Sequence, residues 1–183
     1  MLTFATYYLL KNPTCLQKLR EELDSVVGSG DVTLEDLGRL SYLTAVMRET
    51  LRLSPTAPAR TVAPYEDSFL IGGDGDPNNP ENKKYPVKKD QRIVVHGSNA
   101  MRDPRIWGPD ADEFRPERML DGGFESLPNQ AWQPFGFGLR GCIGRPFAWQ
   151  EAQLVLASAV SPYSYENRQD NLSNLIYSCS YSS

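Results

Sequence analysis

The residues most able to do chemistry sit together in one run, Pro134–Ala148, which reads PFGFGLRGCIGRPFA. It holds four glycines, two arginines and Cys142. Gly136-x-Gly138-x-x-Gly141 has the spacing of a dinucleotide-binding loop, so phosphate binding is one reading. That reading needs a buried apolar strand before the first glycine and an acidic residue after a second strand. Asn129–Pro134 (NQAWQP) supplies no such strand, because proline and glutamine do not belong in one. Downstream, Glu151 falls in a helical pattern and Glu166 in a polar tail. A phosphate loop ending in Gly-Lys-Ser/Thr is also absent from the run. The alternative centres on the thiol. Cys142 stands just before the start of a helix near Ile143–Arg145, where backbone N–H groups and the helix dipole favour an anion. Arg140 adds positive charge, and Gly138, Gly141 and Gly144 let the backbone wrap closely around the sulfur. These features suit a thiolate metal ligand. A buried inert cysteine and a redox or nucleophilic thiol remain open on the residues alone; the single histidine, His96, is not locally placed to activate the thiol.

The elements that must carry this loop are mainly helical. Met1–Leu10 is an apolar, helix-compatible segment without a cap. Asn12-Pro13 reads as an N-cap followed by proline at the first helical position. Leu16, Leu19, Leu23, Val26 and Val27 follow at helical spacing, and Gly28 is a stop. Thr33-Leu-Glu-Asp36 is a capping box for a short helix. Ser41 is expected to cap the next helix, in which Leu43, Val46, Met47, Thr50 and Leu51 share one face until Pro55 and Pro58. From Arg60 the pattern turns to strands and loops, with β-prone runs at Ser68–Ile71 and Gln91–Val95. Between them, Gly72–Lys84 is a polar loop. Its Asp74-x-Asp76-x-Asn78 resembles the start of a calcium loop, but Asn79 stands where glycine is needed and Tyr85 where glutamate is needed. Asp103–Leu120 is read as an ordered meander, since Trp107 and Phe114 need burial. Arg145–Val160 is a helix, and Ser161–Ser183, with seven serines and four tyrosines, is expected to be a disordered tail.

The bulk numbers narrow the classes. At 183 residues the chain can bury one ordinary core. A formal net charge of −4 argues against nucleic acid as a partner. No apolar run reaches membrane-spanning length, and no secretory leader is visible. Cys15, Cys142 and Cys179 are odd in number and far apart, which argues against a disulfide framework, and a lone histidine without C-x-x-C argues against structural zinc. A reducing, cytoplasmic setting fits, or the cytoplasmic face of a membrane if the parent protein has an anchor.

Phe135-x-x-Gly138-x-Arg140-x-Cys142-x-Gly144 resembles the heme-binding loop of the cytochrome P-450 superfamily, the heme-thiolate monooxygenases. Glu49-Thr-Leu-Arg52 resembles that family's E-x-x-R on a helix, and Phe114-Arg-Pro-Glu-Arg118 its P-E-R segment, in the same order. The resemblance covers about Leu2–Val160. Within the superfamily, YYLLKNP, LRLSPTAPA, IWGPDADEFRPERM and CIGRPFAWQEAQLVL are most similar to the self-sufficient fatty-acid hydroxylases of fungi and bacteria, in which the heme domain is fused to an NADPH-dependent flavin reductase.

The resemblance implies a mainly α fold with small β-sheets (α+β), the proximal half of a cytochrome P-450 heme domain, spanning 1–160 and followed by a non-matching tail at 161–183. It implies heme b with Cys142 as the axial iron ligand. Phe135, Gly136, Arg140, Ile143, Gly144 and Ala148 would contact the cofactor, Arg140 through a propionate. Glu49, Arg52 and Arg118 would be structural. Ala57 and Pro58 would face substrate, and Arg60 would line the pocket or approach a propionate. The implied reaction is hydroxylation of a small apolar organic substrate, such as a fatty acid, by dioxygen with NADPH-derived electrons. FMN, FAD and NADPH would act only through a reductase not in this chain. Family members carry an Ala/Gly-Gly-x-Asp/Glu-Thr-Thr helix before this region, so the oxygen-activating threonine, the distal lid and the upstream propionate donors are expected to be missing. Met101-Arg-Asp103 stands where that subfamily has His-Arg-Asp, and Gly72–Lys84 reads as an insertion. On this reading the chain is truncated, binds heme weakly and is inactive alone. The alternatives are a heme-binding module and a non-functional fragment without catalysis.

Overall fold

The computed structural model describes residues 1–73, 75, 76 and 78–161. The expectations for the tail beyond Ser161, and for Asp74 in the calcium-like run, lie outside the described residues. The order is α1 (Leu2–Lys11), α2 (Pro13–Val26), α3 (Leu34–Leu37), α4 (Ser41–Leu53), β1 (Ala59–Val62), β2 (Ser68–Ile71), β3 (Lys84–Val87), β4 (Ile93–His96), α5 (Gly97–Ala100), α6 (Pro104–Trp107) and α7 (Arg145–Val160). Two 3₁₀ turns, Pro116–Met119 and Gly138–Arg140, punctuate the long irregular segment before α7. This is the mainly α, small-sheet class expected.

Two compact units result: Met1–Thr56 with Ser98 onward, and Ala57–Gly97. In the first, α1, α2, α3, α4 and α7 share one apolar core that includes Ala5, Leu9, Leu19, Leu23, Leu37, Leu43, Val46, Met47, Leu156 and Ala157. A second cluster, Ala45, Trp107, Ala111, Met119 and Ala131, lines the other side of α4 with the meander. α4 is therefore covered around most of its circumference. The one-face pattern of Leu43, Val46, Met47, Thr50 and Leu51 is buried, and so are Glu49 and Arg52. Full burial of each large apolar side chain here is worth ~1.5–3 kcal/mol, so α4 is the organising helix.

The local signals mostly hold. Pro13 opens α2, but the Asn12 side chain does not cap it; Asn12 Nδ2 donates instead to the Tyr8 carbonyl at 2.8 Å, closing α1. Gly28, with φ +65, donates its N–H to the Leu23 carbonyl and stops α2. The Thr33–Asp36 capping box is present in both directions. Ser41 is corrected: it is the first residue of α4, with no side-chain cap, and Leu40 holds the N-cap position. The cap comes from Glu22 of α2. Its carboxylate accepts from Tyr42 N at 2.7 Å, Leu43 N at 2.9 Å and Ser41 Oγ at 3.1 Å, placing negative charge on the orphan N–H groups.

In the second unit, β1 pairs antiparallel with β4 and β2 with β3, as two separate two-stranded sheets. The later strand begins at Ile93 rather than Gln91, and the polar loop ends before Lys84, which opens β3. Val87 is the one buried hydrophobic residue of these strands. Among the described residues, no helix is long and apolar enough to cross a membrane.

Candidate functional site

The cysteine loop is anchored at its start. Ala131 is buried, and Trp132 Nε1 donates to the Arg48 carbonyl of α4 at 3.0 Å. The Phe135 ring sits 6.4 Å from both Trp132 and Trp149, tilted against the first and edge-on to the second. Beyond Phe135 the chain doubles back. Gly136 and Gly138 have φ of +69 and +64, a region where a side chain would be strained. At Gly141 the requirement is space, because a Cβ would lie 3.2 Å from the Gly138 carbonyl oxygen. Gly144 needs no such freedom: its φ is −82, and a Cβ would rest in ordinary contact 3.9 Å from Cys142 Sγ. The turn closes where Cys142 N donates to the Phe135 carbonyl at 2.9 Å. α7 then starts three residues after the cysteine, with Gly144 at its N-cap and Pro146 in its first turn.

The result is an exposed thiol on a fixed loop. Around it the sequence places apolar side chains in solvent: Leu139 and Ile143 are fully exposed, and Phe137 and Phe147 are exposed. Arg140 is exposed on the same loop, and Ala148 is half-buried on α7. The inert reading of Cys142 required burial and fails. Of the two described cysteines, Cys15 is the buried one. A thiol flanked by uncovered apolar groups and one cation fits a flat apolar macrocycle with an anionic edge. Its metal would meet the sulfur, and its carboxylates would meet Arg140. Cys142, Phe135, Ile143 and Ala148 are thus suited to hold a heme-like group.

Behind the loop lies a buried charge network. Arg52 and Glu49 are both 0% exposed. Arg52 Nε donates to Glu49 Oε2 at 2.7 Å and Nη2 to Glu49 Oε1 at 2.8 Å. Its remaining N–H groups reach the carbonyls of Met101, Ala111 and Glu113 at 2.8, 2.5 and 3.1 Å. All five guanidinium donors are therefore used. Arg118 joins through Nε to Glu49 Oε1 at 2.9 Å and grips Asp110 and the Trp107 carbonyl. The hydrogen bond from Arg118, aided by the charges of Arg118 and Arg115 and opposed by burial, holds Asp110 below the usual carboxylate range. The buried Arg52 and Arg118 face the carboxylates of Glu49 and Asp110, the half-exposed Arg115 adds a third cation 3.0 Å from Asp110, and the donors pin the meander to α4. Met101 sits here fully buried, with its backbone carbonyl serving the cluster.

The remaining expected site residues fall elsewhere. Ala57 and Pro58 belong to the second unit and are exposed; the Pro58 carbonyl accepts from Gly97 N at 2.9 Å. Arg60 is half-buried in β1, opposite Val95. Trp132, Trp149 and Arg145 frame the loop and did not stand out as site residues in the sequence. Aromatic residues on both flanks of a glycine run were the available signal.

A family model described as cytochrome P-450 matches residues 1–177. A self-sufficient cytochrome P-450 monooxygenase of Phanerodontia chrysosporium is 54% identical over 165 residues, covering 90% of this chain and 15% of the relative. A bifunctional cytochrome P-450/NADPH–P-450 reductase of Aspergillus oryzae is 51% identical over 170 residues, again 90% of this chain and 15% of the relative. A self-sufficient cytochrome P-450 monooxygenase of Oidiodendron maius is 49% identical over 162 residues, with 88% and 14% coverage. The chain thus spans about 15% of the length of the curated relatives it matches.

Proposed function

This chain belongs to the cytochrome P-450 family, and on that premise we propose that residues 1–160 form the thiolate side of the heme site of a monooxygenase. The observation that carries the reading is Cys142, exposed on a loop closed by Phe135 and ringed by uncovered apolar side chains. Cys142 Sγ would hold the heme iron. Phe135, Ile143, Gly144 and Ala148 would pack against the macrocycle, Gly136 lets the loop turn, and Arg140 would donate to a propionate through a charge-assisted hydrogen bond. Thiolate-ligated heme supplies oxygen activation, because the sulfur pushes electron density toward iron. Glu49, Arg52 and Arg118 are positioning residues. They hold the meander against α4 and do not touch the reacting atoms.

The reaction is hydroxylation of an organic substrate, with a fatty acid as the class the family resemblance favours. Ala57 and Pro58 are its contact residues. Electrons come from an NADPH-dependent flavoprotein reductase, fused or separate, in the cytoplasm or at the cytoplasmic face of a membrane. Support for the reductase comes from the relatives, which are named as self-sufficient or bifunctional.

The test is spectroscopic. The chain is loaded with heme, reduced and exposed to carbon monoxide. A red-shifted Soret band that is lost in Cys142→Ala is the expected result. The same band in Cys142→Ala would overturn the assignment of the ligand.

A further inference from the structure

We propose that the cleft between α4 and α7 is a binding pocket for a compact aromatic carboxylate. The cavity is about 260 Å³ and is lined by Thr44, Arg48, Trp132, Arg145, Pro146 and Trp149. None of the residues assigned to heme is among its walls, although Phe135 packs against Trp132 and Trp149, so the pocket adjoins the surface assigned to heme without including it.

Charge argues for an anion. The walls carry two guanidinium groups and no carboxylate; Arg48 stacks on the Phe124 ring at 3.7 Å from its centroid, and its nearest carboxylate, Glu125, is not among the lining residues. Arg48 Nη1 lies 3.7 Å from Glu125 Oε1, beyond hydrogen-bond length, and that carboxylate is largely exposed. Arg145 has no carboxylate partner among the described residues. Burial holds the Arg48 guanidinium below its ordinary value; Glu125 acts in the opposite direction, and the charge of Arg145 adds to the lowering. The two arginines thus repel each other across a space that an anion would fill. A guanidinium fork matches a carboxylate with two parallel hydrogen bonds.

The walls argue for a ring. Trp132 and Trp149 meet edge to face, with centroids 6.3 Å apart at 82°, which forms an aromatic corner. Trp132 is fixed there by its bond to the Arg48 carbonyl. Arg145 lies 5.8 Å from the centroids of Trp132 and Phe135, so its charge faces the Trp132 wall of the corner. Thr44 Oγ1 accepts from Gln153 Nε2 at 3.1 Å, which leaves its hydroxyl hydrogen as a donor. The volume falls just below the ~300–1,000 Å³ of pockets for drug-sized ligands, so a single ring is the right scale. Inorganic phosphate would satisfy the cations but gain nothing from indole walls.

Tryptophan fluorescence tests this directly. Two of the three tryptophans line the pocket, and the third, Trp107, is buried in the meander cluster. The 183-residue chain is titrated with benzoate, benzamide and inorganic phosphate at constant ionic strength. Benzoate should give a saturable change, with benzamide and phosphate at least tenfold weaker. Arg145→Gln should weaken benzoate at least tenfold with unchanged far-UV circular dichroism, and Arg145→Lys should weaken it less. The proposal is overturned by benzamide matching benzoate, by phosphate matching benzoate, by equal affinity in all three Arg145 forms, or by no saturable response.

Discussion

Replacing Glu49 with glutamine keeps the shape of the side chain and removes its charge. Glu49 is fully buried and accepts four hydrogen bonds: two from Arg52 at 2.7 and 2.8 Å, one from Arg118 at 2.9 Å and one from the Arg115 backbone at 3.0 Å. Glutamine offers one oxygen to these four donors and turns an amide donor toward guanidinium groups. Arg52 stays buried with no anion in direct contact. Removing one partner of a buried pair costs ~3–5 kcal/mol. That is a large part of the ~5–15 kcal/mol that holds a typical domain. At ~2–4 °C per kcal/mol for a chain of this size, the melting temperature should fall by ~6–20 °C. Thermal melts followed by far-UV circular dichroism measure this, and Trp107 fluorescence reports locally because the Arg52 guanidinium lies 4.9 Å from its ring centroid. The reference is Asp67→Asn, which breaks the exposed Lys88–Asp67 pair and should leave the melting temperature essentially unchanged. A Glu49→Gln melt that coincides with that of Asp67→Asn would refute the argument that burial makes this network costly to break.

Three further outcomes are expected. Glu22→Ala should lose ~1–2 kcal/mol by uncapping α4, whereas Ser41→Ala should lose much less; equal losses would return the cap to Ser41. Asp110 has a folded pKa below its unfolded value of ~3.9, so its contribution is present above that value and vanishes as pH falls through the folded one. Melting temperature measured from pH 5 downward should therefore drop more steeply in the parent chain than in Asp110→Asn, and parallel curves would contradict the pairing with Arg118. Gly123→Ala would put a Cβ 2.4 Å from the Arg118 carbonyl oxygen and should cost ~1–3 kcal/mol. Gly122→Ala, at φ +81 with open space around it, should cost only the ~1 kcal/mol of backbone strain, so equal denaturation midpoints would remove the steric explanation.

What could be read from the sequence was local. The Thr33–Asp36 box and the bounds of α7 depend on residues within one turn of each other, and both appear as expected. The cap on α4 does not: Glu22 is twenty residues away, and the nearby Ser41 offered a simpler but incorrect answer. β1 (ARTV) and β3 (KYPV) were missed because charged residues and a proline break up their apolar residues, whereas β2 (SFLI), as short and as exposed, shows three apolar residues in a row. E-x-x-R spacing alone describes an ordinary surface pair. Its complete burial depends on the meander arriving from about sixty residues downstream, which no helical periodicity encodes. The thiol loop was the most legible part, since its glycines carry the turn within a dozen residues. The aromatic frame from Trp132 and Trp149 was not, because it forms only when α7 packs back on α4.

The pairing of Ala59 with His96 and the bond from Gly97 N to Pro58 O bring the two ends of the second unit together. Whatever lies between them is a loop whose ends are already closed. The entropy of closing such a loop rises only with the logarithm of its length, ~0.6 kcal/mol for each doubling. The polar stretch from Gly72 to Lys83 can therefore lengthen or shorten at little thermodynamic expense. The tip of this unit is where the chain is free to change length over evolutionary time, while the α4–meander network, with every guanidinium donor of Arg52 committed, is where it is not.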